Sequence, residues 1–360
     1  MSDKNTFVLV TGATGAIGPR VVHALHQSGF QVRSFSVDAP ALDVFPPNVE
    51  VVIGDVTDKE AVEVAMRGVD SVVHMAALLH IVNPPPELHE KYERINVGGT
   101  ATVVNATISA GVNRLVLFST IAVYGQGDGQ VLSEQSPTKP VSFYAQTKLA
   151  AEAMVLNARC ADGQSLGTVL RLGAVYGSRI KGNYERLTRA LAGNMRNLGG
   201  NLGTQHNFRR NLCCVPRFPF IPLGDGLNRR TLVYDKDVGR AAVLAVSHPA
   251  AVGRIFNVTD GAFHTLNEII ESICSALGRK PPRLSLPSGI IRSVAGAIEE
   301  GYQIFGSSSP VTSEMVDKYT EDIAVSGSLI QKELGFEPQY DLLTGWHETI
   351  GEMRHMGHLL

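Results

Sequence analysis

The feature that most constrains this chain is a glycine turn close to its start. The apolar run 7–10 leads directly into Thr11-Gly12-Ala13-Thr14-Gly15-Ala16-Ile17-Gly18, and an amphipathic segment, 17–27, follows. The spacing T-G-x-x-G-x-x-G gives each glycine a separate task. Gly12 permits the tight turn, Gly15 lets the backbone approach a bound group, and Gly18 lets the helix pack close to the strand. A helix that begins there offers unpaired N–H groups and the positive end of its dipole, which suits a diphosphate. The pattern predicts a strand–turn–helix unit that binds a dinucleotide, with Gly12, Thr14, Gly15, Ala16, Ile17 and Gly18 at its pyrophosphate.

The rest of the first half extends that unit. Short runs rich in Val, Ile, Leu or Phe, at 7–10, 31–35, 49–53, 71–75, 114–118 and 168–172, read as strands. Helical patterns at 17–27, 59–67, 88–109 and 144–158 separate them. Strands that are apolar on both faces, alternating with helices, imply a parallel sheet covered on both sides. With right-handed crossovers the expectation is an α/β, Rossmann-type doubly wound parallel sheet, with a smaller C-terminal α/β substrate lobe. The dinucleotide domain is placed at 1–176 with a returning segment at about 231–260, and the lobe at 177–360. Beyond residue 176, helices are expected at 181–193, 235–247, 265–277, 326–334 and 342–353, and strands at 231–234 and 254–258. The stretch 194–222, with Arg196, Arg209, Arg210 and Arg217, is irregular and reads as an insertion.

Charge excludes some partners. With 32 basic against 34 acidic residues the net charge is −2, which gives no global attraction to nucleic acid. The stretch 286–304 is the most apolar helical pattern, but Arg292, Glu299 and Glu300 interrupt it, so an amphipathic packed helix is expected and no integral membrane span. The opening residues lack the apolar core of a signal peptide. Cys160, Cys213, Cys214 and Cys274 have no CxxC spacing and read as reduced thiols of a cytoplasmic protein. The pairs His23/His26 and His355/His358 lack further ligands, so no metal is expected.

Tyr144-Ala145-Gln146-Thr147-Lys148 opens a helix, and the i, i+4 spacing puts Tyr144 and Lys148 on one face. A phenol with a pKa near ~10 is a poor base at neutral pH. A neighbouring ammonium and a positive nicotinamide ring favour the phenolate, so Tyr144 can accept or return the proton of a substrate hydroxyl. The pair follows the fifth strand, whose carboxyl end is where such sheets build their sites. At the end of the second strand Ser36 stands where an NAD-binding acid is expected, with Asp38 two residues on and Arg33 inside the strand. These residues leave NAD and NADP both open, with NAD favoured.

With these residues in view, the chain resembles the extended short-chain dehydrogenase/reductases, the NAD-dependent epimerase/dehydratase family, over most of 6–260. The glycine turn matches that family's nucleotide turn. Gly54-Asp55-Val56-Thr57-Asp58 resembles its adenine-contacting segment, which implies Asp55 and Val56 at the base. His74-Met75-Ala76-Ala77 is similar to its H-x-A-A, implying that Ala76 and Ala77 line the cofactor. Asn96-Val97-Gly98-Gly99-Thr100 looks like its N-V-x-G-T, and Phe118-Ser119-Thr120-Ile121-Ala122-Val123-Tyr124-Gly125 its S-S-x-x-V-Y-G. Asn96 and Ser119 are thereby placed with the cofactor, and Thr120 takes the catalytic Ser/Thr position beside Tyr144 and Lys148. Arg171-Leu172-Gly173-Ala174-Val175-Tyr176-Gly177 resembles R-P-x-x-V-Y-G, with Leu172 in place of the proline. Gly224–Tyr234 is similar to G-D-G-x-x-x-R-x-x-V-Y, which implies that Arg230 clamps a substrate diphosphate, and Asp237-Val238 matches the D-V that starts the following helix, where an acid near the N-terminus is expected to cap it.

The resemblance implies a nucleotide-sugar substrate and C4 epimerisation through a 4-keto intermediate. The alternative is a 3β-hydroxysteroid-like or dihydroflavonol-like dehydrogenase or reductase acting on a bulky apolar alcohol or ketone. A dehydratase fits less well, because Ile121-Ala122 follow Thr120 where those relatives carry Asp-Glu. A nucleotide-sensing binder without catalysis is disfavoured by the presence of Thr120, Tyr144 and Lys148 together. Pairing through two helices, common in this family, implies a homodimer.

Overall fold

A computed structural model describes residues 6–79, 85, 87–193, 224–282, 293, 296 and 321–359. The insertion expected at 194–222, with its arginines and Cys213-Cys214, lies outside these residues, as does nearly all of the helix expected at 286–304.

In chain order the first elements are β1 (Phe7–Thr11), α1 (Gly18–Gln27), β2 (Gln31–Ser36), β3 (Glu50–Ile53), α2 (Lys59–Ala65), β4 (Ser71–His74) and α3 (Glu87–Tyr92). A π-helical turn, Glu93–Gly98, joins α3 to α4 (Gly99–Ser109), followed by β5 (Arg114–Thr120), β6 (Val131–Leu132), α5 (Phe143–Asn157), β7 (Gly167–Leu172) and β8 (Ala174–Tyr176). Then come α6 (Asn183–Leu191), β9 (Arg229–Arg230), β10 (Leu232–Tyr234), α7 (Asp235–Ser247), β11 (Ile255–Val258), β12 (His264–Thr265), α8 (Leu266–Leu277) and β13 (Ala324–Val325). Helices Ser328–Leu334 and Leu342–His355 complete the described chain.

Seven strands form one parallel sheet in the order β11-β7-β5-β4-β1-β2-β3. Alternate residues of each strand enter different cores, as the period of two requires. Val8 and Val10 of β1 join Val116 and Phe118 of β5 against α1 and α7. Leu9, Leu115 and Leu117 face the other way, against residues of α2, α4 and α5. The sheet is therefore covered on both faces, as in a doubly wound fold. Its order steps outward from β1 in both directions, so the carboxyl ends of β1, β4 and β5 lie side by side on one edge.

The chain divides into two compact units. One comprises the chain up to Val175, Thr231–Phe263 and Ile323–Tyr340; the other comprises Tyr176–Arg230, His264–Asp322 and Asp341–Leu360. In the first unit β13 pairs with β6, and helix Ser328–Leu334 packs on β11. In the second, helix Leu342–His355 packs on α8, and buried Trp346 stacks on Tyr176 at 4.7 Å between ring centroids.

Two local expectations change. The single helix expected at 88–109 is interrupted by the π turn, because Asn96 turns its side chain toward bonds outside the helix. Asp237 sits near the start of α7 but caps nothing: it accepts from the backbone N–H groups of Gln339 and Tyr340 and pairs with Arg240.

Candidate active site

The glycine turn leaves β1 at the carboxyl edge of the sheet. Gly12 has φ +71°, and a Cβ there would lie 2.8 Å from the backbone nitrogen of Ala76. A Cβ on Gly18 would collide with the carbonyl of Ala13, so the first turn of α1 closes directly onto the loop before it. Helix α1 has no side-chain cap and carries Pro19 in its first turn, while Gly15 is exposed at the tip of the loop. Uncapped N–H groups beside a glycine surface that no side chain fills suit the pyrophosphate of a dinucleotide. Thr14 donates its backbone N–H to the Ser36 hydroxyl at 3.1 Å, which ties this loop to the end of β2.

The second strand carries no free cation for an extra phosphate. Arg33 donates to the carbonyls of Ala65 and Arg67, both at 2.7 Å, and pairs with Glu50. Its guanidinium thus satisfies the end of α2. Asp55 is engaged locally, accepting from the Thr57 backbone and hydroxyl at 2.9 and 3.0 Å. Val56 is buried behind it, against Gly99.

Between β1, β4 and α4 lies a chain of buried hydrogen bonds. Thr100 donates its hydroxyl to the Asn96 carbonyl at 2.6 Å, so its oxygen can only accept from His74 Nε2–H, 3.0 Å away. Nδ1 of His74 is then the acceptor for the Thr11 hydroxyl at 2.7 Å. Thr11 in turn accepts from the backbone N–H groups of Met75 and Ala76. Burial, with Lys148 nearby, draws the His74 imidazole down to about 3, so it stays neutral. This relay fixes the loop that carries Ala76 and Ala77.

Asn96 continues the relay into helix α5. Its Oδ1 accepts from the Leu78 N–H at 2.7 Å, and its Nδ2 donates to the Leu78 carbonyl at 3.2 Å and the Thr147 hydroxyl at 3.1 Å. Both polar ends of its side chain are therefore used by protein groups. Thr147 passes its own proton to the Tyr144 carbonyl.

Helix α5 starts at a Ser142 cap, which accepts from Ala145 N–H, and packs on β5 and β7. Tyr144 lies in its first turn, with its ring edge to Tyr92 at 6.4 Å. Its surroundings push its phenol well above the ordinary tyrosine range, through burial and then the neighbouring Tyr92. Lys148 is buried one turn on; burial, partly offset by Glu152, draws its ammonium down to about 8. Thr120 ends β5, and its oxygen accepts from Ala122 N–H at 3.1 Å, leaving its proton free to be donated.

Sequence reasoning missed what stands behind these groups. Glu152, one further turn along α5, forms a buried pair with Arg171 of β7, with Nη2–Oε2 at 2.6 Å. Ser119 donates its hydroxyl to the same carboxylate. Arg171 also lies over the Tyr124 ring at 4.8 Å, and Tyr124 donates to Asn257 at 2.8 Å. An acid at i+4 from Lys148 and an arginine inside an apolar strand were the available signals. Arg230 lies in the second unit, on β9, which pairs with β12. Arg229 beside it holds Asp322 in a two-pronged pair.

The comparisons agree with this arrangement. The model of the NAD-dependent epimerase/dehydratase family matches residues 8–259. A 3 beta-hydroxysteroid dehydrogenase/Delta 5-->4-isomerase of Mycobacterium tuberculosis is 26% identical, covering 92% of this chain and 86% of the relative. A UDP-glucose 4-epimerase of Vibrio cholerae is 25% identical, covering 95% of this chain and 94% of the relative. The solved structure of MoeE5 in complex with UDP-glucose and NAD superposes with a TM-score of 0.70 at 26% identity, over 97% of this chain and 99% of that one. A doubly wound sheet, a glycine turn shaped to suit a dinucleotide, and a match across most of the chain lead to one conclusion: this is an NAD-dependent enzyme belonging to the NAD-dependent epimerase/dehydratase family.

Proposed function

We propose that this enzyme epimerises a nucleotide-diphosphate sugar at C4, with Tyr144, Lys148 and Thr120 as the acid–base group and its two helpers. The observation that carries the reading is the Tyr144–Lys148 pair on α5, which packs against the strand ending in Thr120. A phenol that starts above its ordinary range gives up its proton only beside positive charge. Lys148, held at about 8, is mostly an ammonium at neutral pH and supplies one such charge. NAD, when bound, supplies the hydride acceptor and donor. Gly12, Gly15 and the start of α1 are assigned to its diphosphate, and the Ala76–Ala77 loop to its flank.

The chemistry balances without an external oxidant. As the phenolate, Tyr144 would take the C4 hydroxyl proton while the C4 hydrogen would leave as hydride to bound NAD, so the carbinol becomes a ketone. Thr120 donates a hydrogen bond to the same substrate oxygen and holds it in line. The 4-keto sugar then turns, receives hydride on its other face and takes its proton back from Tyr144. Arg230 is assigned to the diphosphate, a group that a guanidinium binds with two parallel hydrogen bonds. The similarity to the Vibrio cholerae epimerase along nearly the whole chain, and to MoeE5, supports this substrate class.

The similarity to the mycobacterial dehydrogenase/isomerase favours a second reading, oxidation of a 3β-hydroxysteroid-like alcohol by the same residues. Incubation with UDP-glucose and NAD separates the two. Epimerisation yields UDP-galactose with no net NADH. Stoichiometric NADH from a 3β-hydroxysteroid, with UDP-sugars unchanged, would overturn the first reading in favour of the second.

A further inference from the structure

Tyr92 touches both halves of the candidate site. It is the last residue of α3, and its side chain is fully buried. Its hydroxyl donates to the Leu79 carbonyl at 2.6 Å, on the loop that follows β4 and carries Ala76 and Ala77. Its ring meets Phe143 edge-on at 6.1 Å and Tyr144 at 6.4 Å, in the first turn of α5. The π turn that follows reinforces both contacts, since Asn96 binds Leu78 on one side and Thr147 on the other. A buried aromatic edge restricts the rotamers of the ring it faces. A π turn placed where two elements must be held together is a common mark of a functional site.

We infer that Tyr92 is a positioning residue: its ring sets the direction of the Tyr144 phenol, while its hydroxyl fixes the Leu79 end of the loop beside the cofactor. One side chain thus keeps the proton-transferring group and the cofactor's wall in one frame. The inference rests on Tyr144 being the acid–base group, as proposed above. The two functions of Tyr92 are separable. Phenylalanine keeps the edge contact and loses the tether; leucine loses both.

Ultraviolet difference titration of tyrosinate in the NAD complex, together with NADH fluorescence titration, tests this without knowledge of the substrate. Wild type is expected to show an ionisation step that Tyr144→Phe removes. Tyr92→Leu should keep that step but titrate about half a pH unit or more above Tyr92→Phe, because both variants lose the Tyr92 hydroxyl that raises the neighbouring phenol and only leucine also lets that phenol turn away from positive charge. Tyr92→Phe should weaken NADH binding about three- to tenfold through the lost tether. Equal midpoints in the leucine and phenylalanine variants, or unchanged NADH affinity in Tyr92→Phe, overturns the inference. The second arm decides the matter even if the leucine variant does not fold. Absence of any step that Tyr144→Phe removes would instead overturn the acid–base reading itself, and the positioning role with it.

Discussion

The glycine turn and helix α5 stand on the same edge of the sheet, yet they are held in opposite ways. The turn is built from consecutive residues: a strand, three glycines and the start of a helix. Its shape follows from which backbone angles and contacts a missing Cβ permits. Helix α5 is held by side chains from distant parts of the chain. Asn96 reaches it from the π turn, Tyr92 from α3, and Arg171 from β7 through Glu152. The surface proposed for the nucleotide is thus encoded locally, whereas the pair proposed to transfer the proton is fixed by tertiary contacts.

If that contrast is right, breaking the distant supports should cost more stability than disturbing the turn. Glu152→Gln leaves the buried Arg171 guanidinium without its counter-charge. Urea unfolding should show a loss of about 3–5 kcal/mol; a variant as stable as wild type would mean that this cluster does not hold α5. Gly18→Ala drives a Cβ into the Ala13 carbonyl, and about 2–3 kcal/mol should be lost along with most NADH affinity. Unaltered NADH binding would show that the turn tolerates reshaping.

A subtler test uses the His74 relay. The folded imidazole is held at about 3, while the unfolded one takes a proton near its usual value of 6.5. The unfolded state therefore binds more protons in between, so stability is present above pH 6.5 and lost as pH falls toward 3. His74→Gln offers a donor and an acceptor of similar reach but does not titrate. Its stability should fall less steeply between pH 6.5 and 4.5, by about 2 kcal/mol over that interval. Parallel acid limbs in the two proteins would count against a neutral, buried His74. The smallest effect is expected at the end of β2. Ser36→Asp puts a carboxylate where a ribose hydroxyl is bound in such folds, and should shift the NADH:NADPH affinity ratio toward NADH by about tenfold. Fluorescence titration with both nucleotides measures it.

The same contrast explains what the sequence made legible. The sheet strands could be read because each is a short apolar run between turn residues, and parallel strands buried on both faces leave that mark. The Tyr144–Lys148 spacing was visible because one helix carries both. The π turn was not visible, since Glu93–Gly98 has an ordinary helical pattern and departs from it only to aim Asn96 outward. Nor was the return of 323–340 to the first unit. That segment pairs β13 with β6 and places Ser326 at the Asn257 side chain, contacts between residues far apart in sequence. The partner of the Ser119 hydroxyl was hidden for a related reason: the Glu152 carboxylate that accepts from it lies outside the motif that carries Ser119.

Everything functional here rests on the phenol of residue 144 moving a proton while hydride moves beside it. Stopped-flow single turnover tests this directly, comparing wild type with Tyr144→Phe on whichever alcohol, UDP-sugar or 3β-hydroxysteroid, reduces bound NAD. Loss of only the proton-transferring oxygen should slow hydride transfer by about a hundredfold to ten-thousandfold and leave the NADH dissociation constant within about twofold. Hydride transfer at the wild-type rate in the phenylalanine variant would contradict the account.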